Sequence, residues 1–188
     1  MKRKRENKYS KKVFLMMVIL GAGGLRFVEM ATPSLEYGRV FNHLGEENEK
    51  RGQWKKAFGN YKKAIGYDPL LVEAYNNIAN VYRHNHDLDK AVEFAQKAIN
   101  LDPQFHQAYH SLGLAYRAKG HYQLALKSLT HAYELYSHYP YVPYYMYDLG
   151  IAYHNLGDEV TARQWVHEIR LLKEDEIADQ LEQAISQN

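Results

Sequence analysis

The chain has 188 residues and a mass of 22.0 kDa, and its 46% of hydrophobic and 24% of charged residues suit one compact domain or one short repeat array. It contains no Cys, which excludes disulfides, thiolate metal sites and Cys nucleophiles. Residues 1–12 hold seven Lys and Arg against one Glu (net +6), whereas residues 26–188 hold 17 against 21 Asp and Glu (net −4), so the folded part lacks the positive excess that nucleic acid binding needs.

The chain begins with a basic stretch, residues 1–12, followed by an uncharged and mostly apolar run, residues 13–25. This order is typical of a secretory signal or a signal anchor. A helix over the run would span about 20 Å, which is short for a hydrocarbon core of about 30 Å. A signal that is cleaved after Gly24, where Ala22 and Gly24 supply the usual small residues, and a retained membrane anchor both stay open. Either one places residues 26–188 on the extracytoplasmic side. The third alternative is a basic amphipathic tail on a cytosolic protein.

Residues 26–37 are predicted to be a tether between this leader and the folded part. The segment Thr32-Pro33-Ser34 is expected to interrupt regular structure, because Pro disfavours helix in the residue before it. We therefore place the start of the folded part at residue 38.

From residue 38 onward the sequence matches itself when it is shifted by 34 residues. After the third unit the step becomes 37, so three residues are inserted within 137–143. The periodicity predicts four units, 38–71, 72–105, 106–139 and 143–172. Small residues recur at the step of 34, at Ala57, Ala91 and Ala125 and again at Ala64, Ala98 and Ala132.

Each unit contains the pattern of two packed helices. In unit three, Tyr109, Leu112, Gly113 and Tyr116 fall at i, i+3, i+4 and i+7, which is one helical face. Gly113 leaves room for a neighbouring helix, and Gly120 lies between the two helices, where a left-handed turn residue is favoured. The return face of the second helix consists of Ala125, Leu129 and Ala132.

These units resemble the tetratricopeptide repeat family, whose pattern has an aromatic residue, Leu-Gly and Tyr in the first helix, then two Ala around an aromatic residue, then Pro. Units two and three match closely. Unit one has Asn48 where Tyr is usual, and unit four lacks the terminal Pro. The resemblance implies an all-α fold, a right-handed superhelix of about four helical hairpins that bury a continuous core by stacking. Residues 173–188 are predicted to be a capping helix with Ile177, Leu181 and Ile185 on its apolar face.

The resemblance implies protein binding and not catalysis, so we predict a non-enzymatic scaffold or assembly factor without cofactor or metal. It is membrane-tethered through residues 13–25 or exported, and it recruits a protein or peptide ligand into a larger complex. In such arrays the first helices line a curved inner surface, to which the second, fifth, ninth and twelfth residues of each unit are predicted to point. Asn77 is added to these positions because it matches a residue that chaperone-binding members of the family share. The predicted partner-binding residues are Arg39, Asn42, Glu46, Glu49, Glu73, Asn76, Asn77, Asn80, Arg83, Gln107, His110, Leu114, Arg117, Tyr144, Tyr147 and His154.

Three alternatives stay open. The lining is also consistent with an ordinary solvated face. The chain as a whole is also consistent with a permanent subunit of a membrane complex, held by its N-terminal helix, or with an array that self-associates by stacking end to end. An enzyme or metal protein is disfavoured, because no catalytic motif is present and His106 and His110, at i and i+4, lack the further ligands of a metal motif.

Two further features bear on the partner. Chaperone-binding members of the family share a clamp of Lys, Arg and Asn. At its five positions this chain has Asn42, Glu46, Asn77, Gln107 and Ser111, and only Asn77 matches, so we predict that no chaperone tail is bound. The segment 136–147 contains six Tyr, which is consistent with a second interface and also with padding around the insertion.

Overall fold

The computed structural model describes residues 18–21, 24–27, 33–136 and 142–187. Residues 18–27 contain two short strands, β1 (Val18–Gly21) and β2 (Gly24–Phe27), which pair in antiparallel register with Val18 opposite Phe27. The ranges 33–136 and 142–187 contain nine helices. They are α1 (Pro33–Lys50), α2 (Trp54–Tyr67), α3 (Val72–His84), α4 (Leu88–Leu101), α5 (His106–Ala118), α6 (Tyr122–Tyr136), α7 (Val142–Asn155), α8 (Glu159–Leu171) and α9 (Asp175–Ser186).

The leader differs from the helix that a membrane-spanning anchor would need. Its described part is a hairpin in which Gly21 pairs with Gly24. Val18 and Ile19 are β-branched, which favours a strand. The basic stretch 1–12, the first five residues of the apolar run, 13–17, and residues 22 and 23 lie outside the described residues. Among the helices of the described residues, none combines the length and apolar character of a membrane span.

The predicted tether is wrong over its last five residues, because α1 begins at Pro33. Pro is well suited to the first position of a helix, where its missing N–H is not needed and its fixed φ is already helical. The residue that was expected to interrupt regular structure therefore starts the first helix, and residues 33–37 form its first turn.

The helices pack as the all-α repeat fold requires, which confirms the predicted fold class. Four hairpins form from α1 with α2, α3 with α4, α5 with α6, and α7 with α8, and each hairpin packs against the next. Gly120 has φ of +75°, which confirms the left-handed turn predicted there. In unit two His86 takes the equivalent position with φ of +59°, a conformation that His adopts more readily than most residues with a Cβ.

The core consists of small residues at the helix contacts and large residues between them. Ala57, Ala64 and Ala125 are fully buried. A Cβ placed on Gly113 would lie 2.6 Å from Cγ of Leu129, so the backbones of α5 and α6 approach too closely for any larger residue. This confirms that Gly113 permits close helix packing.

Gly113→Ala is expected to destabilise the protein by about 1–3 kcal/mol through overpacking against Leu129. Its matched control is Gly59→Ala on α2, where a Cβ would meet nothing within 4 Å. The control should gain up to about 1 kcal/mol from helix propensity alone. Urea denaturation of both variants measures the two changes, and a gain in stability for Gly113→Ala would contradict this packing.

The array ends in α9, which packs against α7 and α8. Ile177, Leu181 and Ile185 are buried there, as expected for the capping helix. The opposite end differs, because α1 exposes Tyr37, Val40 and Leu44. Among the described residues, the first hairpin therefore has no equivalent of α9.

Candidate partner-binding surface

Polar side chains link successive first helices along one side of the array. Asn77 of α3 donates from Nδ2 to Oδ1 of Asn42 on α1 at 3.1 Å, and Ser111 of α5 donates from Oγ to Oδ1 of Asn80 on α3 at 3.2 Å. Asp148 of α7 makes the corresponding bonds to α5. Asn77, Ser111 and Asp148 are equivalent residues, related by the steps of 34 and 37. We call these three residues and their bonds the interunit ladder.

Asp148 makes the strongest bonds of the interunit ladder. Its Oδ1 accepts from Nη1 of Arg117 and its Oδ2 contacts Nε2 of His110, each at 2.7 Å. Burial raises the pKa of Asp148, but His110 and Arg117 outweigh burial and hold this pKa below its ordinary value. The carboxylate therefore stays ionised and fixes two of the predicted lining residues.

A second group of residues follows one face of α3. Asn76, Asn80 and Arg83 fall at i, i+4 and i+7, and we call them the α3 row. Asn76 is only 6% exposed. Its Oδ1 and the Nε of Arg83 are both buried without a hydrogen-bond partner among the described residues. Buried polar atoms of this kind are rare in folded proteins and need an explanation, such as an ordered water or a ligand.

The charges around Arg83 come from several units. Burial lowers the pKa of the Arg83 guanidinium, and the positive charge of Arg117 lowers it further, whereas Asp148 and Glu49 raise it. Glu49 itself accepts a hydrogen bond from the buried hydroxyl of Tyr61 at 2.7 Å. Charged residues from the other three units therefore act on Arg83 of unit two.

Comparison with known proteins identifies the repeat. Residues 70–137 and residues 110–174 match models of the tetratricopeptide repeat. This chain belongs to the tetratricopeptide repeat family. The general transcriptional corepressor trfA of Dictyostelium discoideum is 27% identical over 124 residues, which are 63% of this chain and 8% of that protein. The chain thus spans less than a tenth of the length of this curated relative.

Solved structures share the fold. PilF of Pseudomonas aeruginosa superposes with a TM-score of 0.70 at 20% identity, over 83% of this chain and 78% of that one. The first tetratricopeptide repeat domain of Spaghetti (RPAP3), bound to the HSP90 peptide SRMEEVD, superposes with a TM-score of 0.58 at 21% identity, over 65% of this chain and 95% of that one. Proteins of this family commonly serve as non-catalytic scaffolds for protein binding, although some of them are enzymes.

In unit one of this tetratricopeptide repeat protein, the polar lining residues already form hydrogen bonds with one another and with α3. Asn42 is buried and donates from Nδ2 to Oε1 of Glu46 at 2.8 Å, while Asn77 reaches both residues. These residues occupy three of the five positions of the chaperone clamp. Here they bond to one another, and Glu46 brings a negative charge where the clamp has a polar or positive residue.

The remaining predicted lining residues fall into three groups. Leu114 and Tyr147 are half-buried and pack against the core beneath unit four, so they contribute to stability. His154 pairs with Glu159 at the start of α8. The others are exposed: Arg39, Glu73, Gln107 and Tyr144.

The histidines and tyrosines at the junction of units three and four pack together. His106 contacts the Tyr145 hydroxyl through Nδ1 at 2.8 Å and stacks on Tyr136 with ring centroids 4.0 Å apart. The His110 ring also lies against Tyr145, with centroids 4.6 Å apart, but its hydrogen bond is to Asp148. Two tyrosines of the segment 136–147 therefore fill the junction, Tyr144 is exposed, and residues 137–141 lie outside the described residues.

Asp148 is the residue of this surface that the sequence prediction missed. It sits between Tyr147, which was chosen from the helical positions, and the core residue Leu149. A signal for it existed in the repeat itself, because the sixth position of units two and three also carries a short polar residue, Asn77 or Ser111.

Proposed function

We propose that the chain is a non-enzymatic scaffold that binds an extended peptide segment of another protein along its first helices. Membership of the tetratricopeptide repeat family supports protein binding, and one of the structurally similar domains has a bound peptide. The observation that carries the proposal is the pair of buried, unpartnered polar atoms on the α3 row, Oδ1 of Asn76 and Nε of Arg83.

The spacing of these atoms defines the chemistry of the ligand. Asn76 and Arg83 are seven residues apart in one helix, so they lie about 10 Å apart along its axis. An extended peptide covers this distance with about three residues. Its backbone N–H would donate to Asn76, and a carbonyl or carboxylate oxygen would accept from Arg83. Asn80, whose Oδ1 is already taken by Ser111, lies between the two.

This peptide is not expected to be a chaperone tail. The clamp positions of unit one hold Asn42 and Glu46 in mutual hydrogen bonds, and Glu46 would repel a terminal carboxylate. Arg83 lies outside those positions. The ligand is therefore recognised from unit two, through contacts of its own.

Arg83→Gln is expected to weaken peptide binding about tenfold, which corresponds to about 1.4 kcal/mol. The measurement uses peptides selected on the full chain from a phage-displayed random library, followed by fluorescence anisotropy of the selected sequences. Arg163→Gln on the exposed face of α8 is the matched control and should bind normally. Both variants should melt close to the wild type, because neither arginine makes an ion pair with another described residue. Unchanged affinity of the Arg83 variant, or an equal loss in the control, would refute the assignment.

We further propose that the scaffold works at or beyond a membrane, with residues 26–188 on the extracytoplasmic side. The basic stretch 1–12 followed by the uncharged run 13–25 supports this location. The described hairpin of the leader is not a membrane-spanning helix, so a cleaved signal and an anchor that changes conformation in lipid both agree with it. N-terminal sequencing of the natural protein separates them.

A further inference from the structure

The second helix of unit one has a charge that its counterparts lack. Four Lys and no acidic residue give α2 a net charge of +4, namely Lys55, Lys56, Lys62 and Lys63. The equivalent helices balance their charges within the same bounds: two Lys against Asp and Glu in α4, one Lys against one Glu in α6, and two Arg against two Glu in α8. The excess is therefore a property of this helix and not of the repeat.

The internal repeat shows how the excess arises. In α4, Lys97 pairs with Glu93 and Lys119 of the next unit pairs with Asp89. One step of 34 residues earlier, Gly59 stands in place of Glu93 and Lys55 in place of Asp89. The acidic partners are thus replaced in unit one. The four lysines are exposed, and none of them forms an ion pair with another of the described residues.

A cluster of aromatic rings connects Lys63 of α2 with exposed apolar side chains of α1. The Nζ of Lys63 lies 5.1 Å from the ring centroid of Phe41 on α1, and Tyr67 stacks on the same ring at 5.3 Å. The ring centroid of Tyr37 lies 5.5 Å from that of Tyr67. Along α1, Tyr37, Val40 and Leu44 are 54%, 52% and 43% exposed. We call the four lysines of α2 together with these three residues of α1 the unit-one face.

The unit-one face is open beside the glycines of α2 and borders acidic residues of α1. A Cβ on Gly59 or Gly66 would meet nothing within 4 Å. On α1, Glu47 is engaged by Lys50 and Arg51. Glu36, in the first turn of α1, is the acidic residue nearest to the exposed apolar side chains in sequence.

We infer that the unit-one face docks on an anionic lipid surface. Lysines on a hairpin that also exposes aromatic and aliphatic residues match a membrane interface, where the charges meet the headgroups and the apolar residues enter the boundary with the acyl chains. The face lies on the hairpin that directly follows the leader, since β2 ends at Phe27 and α1 begins at Pro33. The inference rests on the membrane location proposed above, requires anionic lipid in the leaflet that faces residues 26–188, and is independent of peptide binding.

A second copy of the chain is a poorer partner for this face. The complementary charge would come from α9, which contains four acidic residues and no basic one. Asp179 and Glu182 are already bound by Arg170, and Asp175 and Glu176 lie in the first turn, where acidic residues stabilise a helix. The acidic residues of α9 are therefore explained within one molecule. Nucleic acid would leave the exposed apolar residues of α1 unused.

The test measures partition of the full chain onto vesicles of phosphatidylcholine, with and without phosphatidylglycerol. The face variant replaces Lys55, Lys56, Lys62 and Lys63 with Gln. The matched control makes the same charge change elsewhere, at Lys90, Lys97, Lys127 and Lys173, which are also exposed. Gln is close to Lys in helix propensity, so the face variant should keep the melting temperature of the wild type.

The face variant is expected to lose at least tenfold in affinity for the anionic vesicles, since each Lys that reaches the headgroups contributes about fivefold. The control should lose much less, and high salt should remove the difference. Equal affinity of the face variant and the wild type, or an equal loss in the control, overturns the inference. A lysine-dependent dimer or DNA complex without lysine-dependent vesicle binding also overturns it. Failure of the wild type to bind the anionic vesicles overturns it as well, and the phage-selected peptides report separately on the groove.

Discussion

Leu181→Ala should lower the free energy of unfolding by about 3 kcal/mol, within the range of 2–5 kcal/mol for large cavities in protein cores. Leu181 is fully buried, and its Cδ2 lies 2.5 Å from the position of a Cβ on Gly150 of α7. It therefore fills the space that this glycine leaves open. Because each repeat contacts only its neighbours, the loss is expected to loosen unit four before unit one.

The control for this prediction is Leu171→Ala, which removes the same atoms from a side chain that is 63% exposed. It should change stability by less than about 0.5 kcal/mol. Urea denaturation gives the two free energies, and native-state hydrogen exchange locates the effect. Amides of α7 and α8 should lose more protection than those of α1 and α2. Equal loss along the whole array would show that it unfolds as one cooperative unit.

Asp148→Asn is expected to cost about 2–3 kcal/mol, because the substitution removes the charge that joins α7 to two side chains of α5. Breaking a buried ion pair costs about 3–5 kcal/mol. A smaller cost is expected here, because Arg117 and His110 keep some exposure to water. Asp89→Asn is the matched control. Asp89 also pairs with a Lys of the next unit, but its side chain is 88% exposed, so about 0–1 kcal/mol is expected.

The effect of Asp148 should depend on pH in a defined direction. The pKa of its carboxyl is lowered from an ordinary value of 3.8, so the folded protein holds the ionised form more strongly than the unfolded chain does. The difference in stability between wild type and variant should be complete well above pH 3.8 and should shrink as the pH falls below it. Thermal unfolding at a series of pH values measures this. A difference that grows on acidification would contradict the assigned role.

The helical hairpins were predictable because their signals are local and repeated. Gly113 and Gly120 report a close helix contact and a left-handed turn through their own backbone requirements, and both predictions are confirmed. The apolar spacing of Ile177, Leu181 and Ile185 identified the capping helix in the same way. Pro33 was misinterpreted because Pro both disfavours helix before it and favours a helix start, and the sequence alone does not choose between the two.

The candidate site was predicted only in outline. Helical position predicted a common surface for Asn76, Arg83 and Arg117, and Arg117 is one of the charges that act on Arg83. Position did not reveal that Arg117 and His110 are held by Asp148, or that Asn42 and Glu46 bond to each other and to Asn77. These bonds join residues 31 to 38 positions apart, except the local one from Asn42 to Glu46.

By itself the sequence determined the family, the all-α hairpins and the small residues at their contacts, because each of these depends on spacing within one helix or between neighbouring helices of a repeat. Only the tertiary structure decided which polar side chains of the first helices are used up in holding the units together and which, like Asn76 and Arg83, keep buried atoms unpaired. The physical reason is that hydrogen bonds require an approach of about 3 Å, and stacking of units sets that distance through a rotation and shift that no single unit encodes.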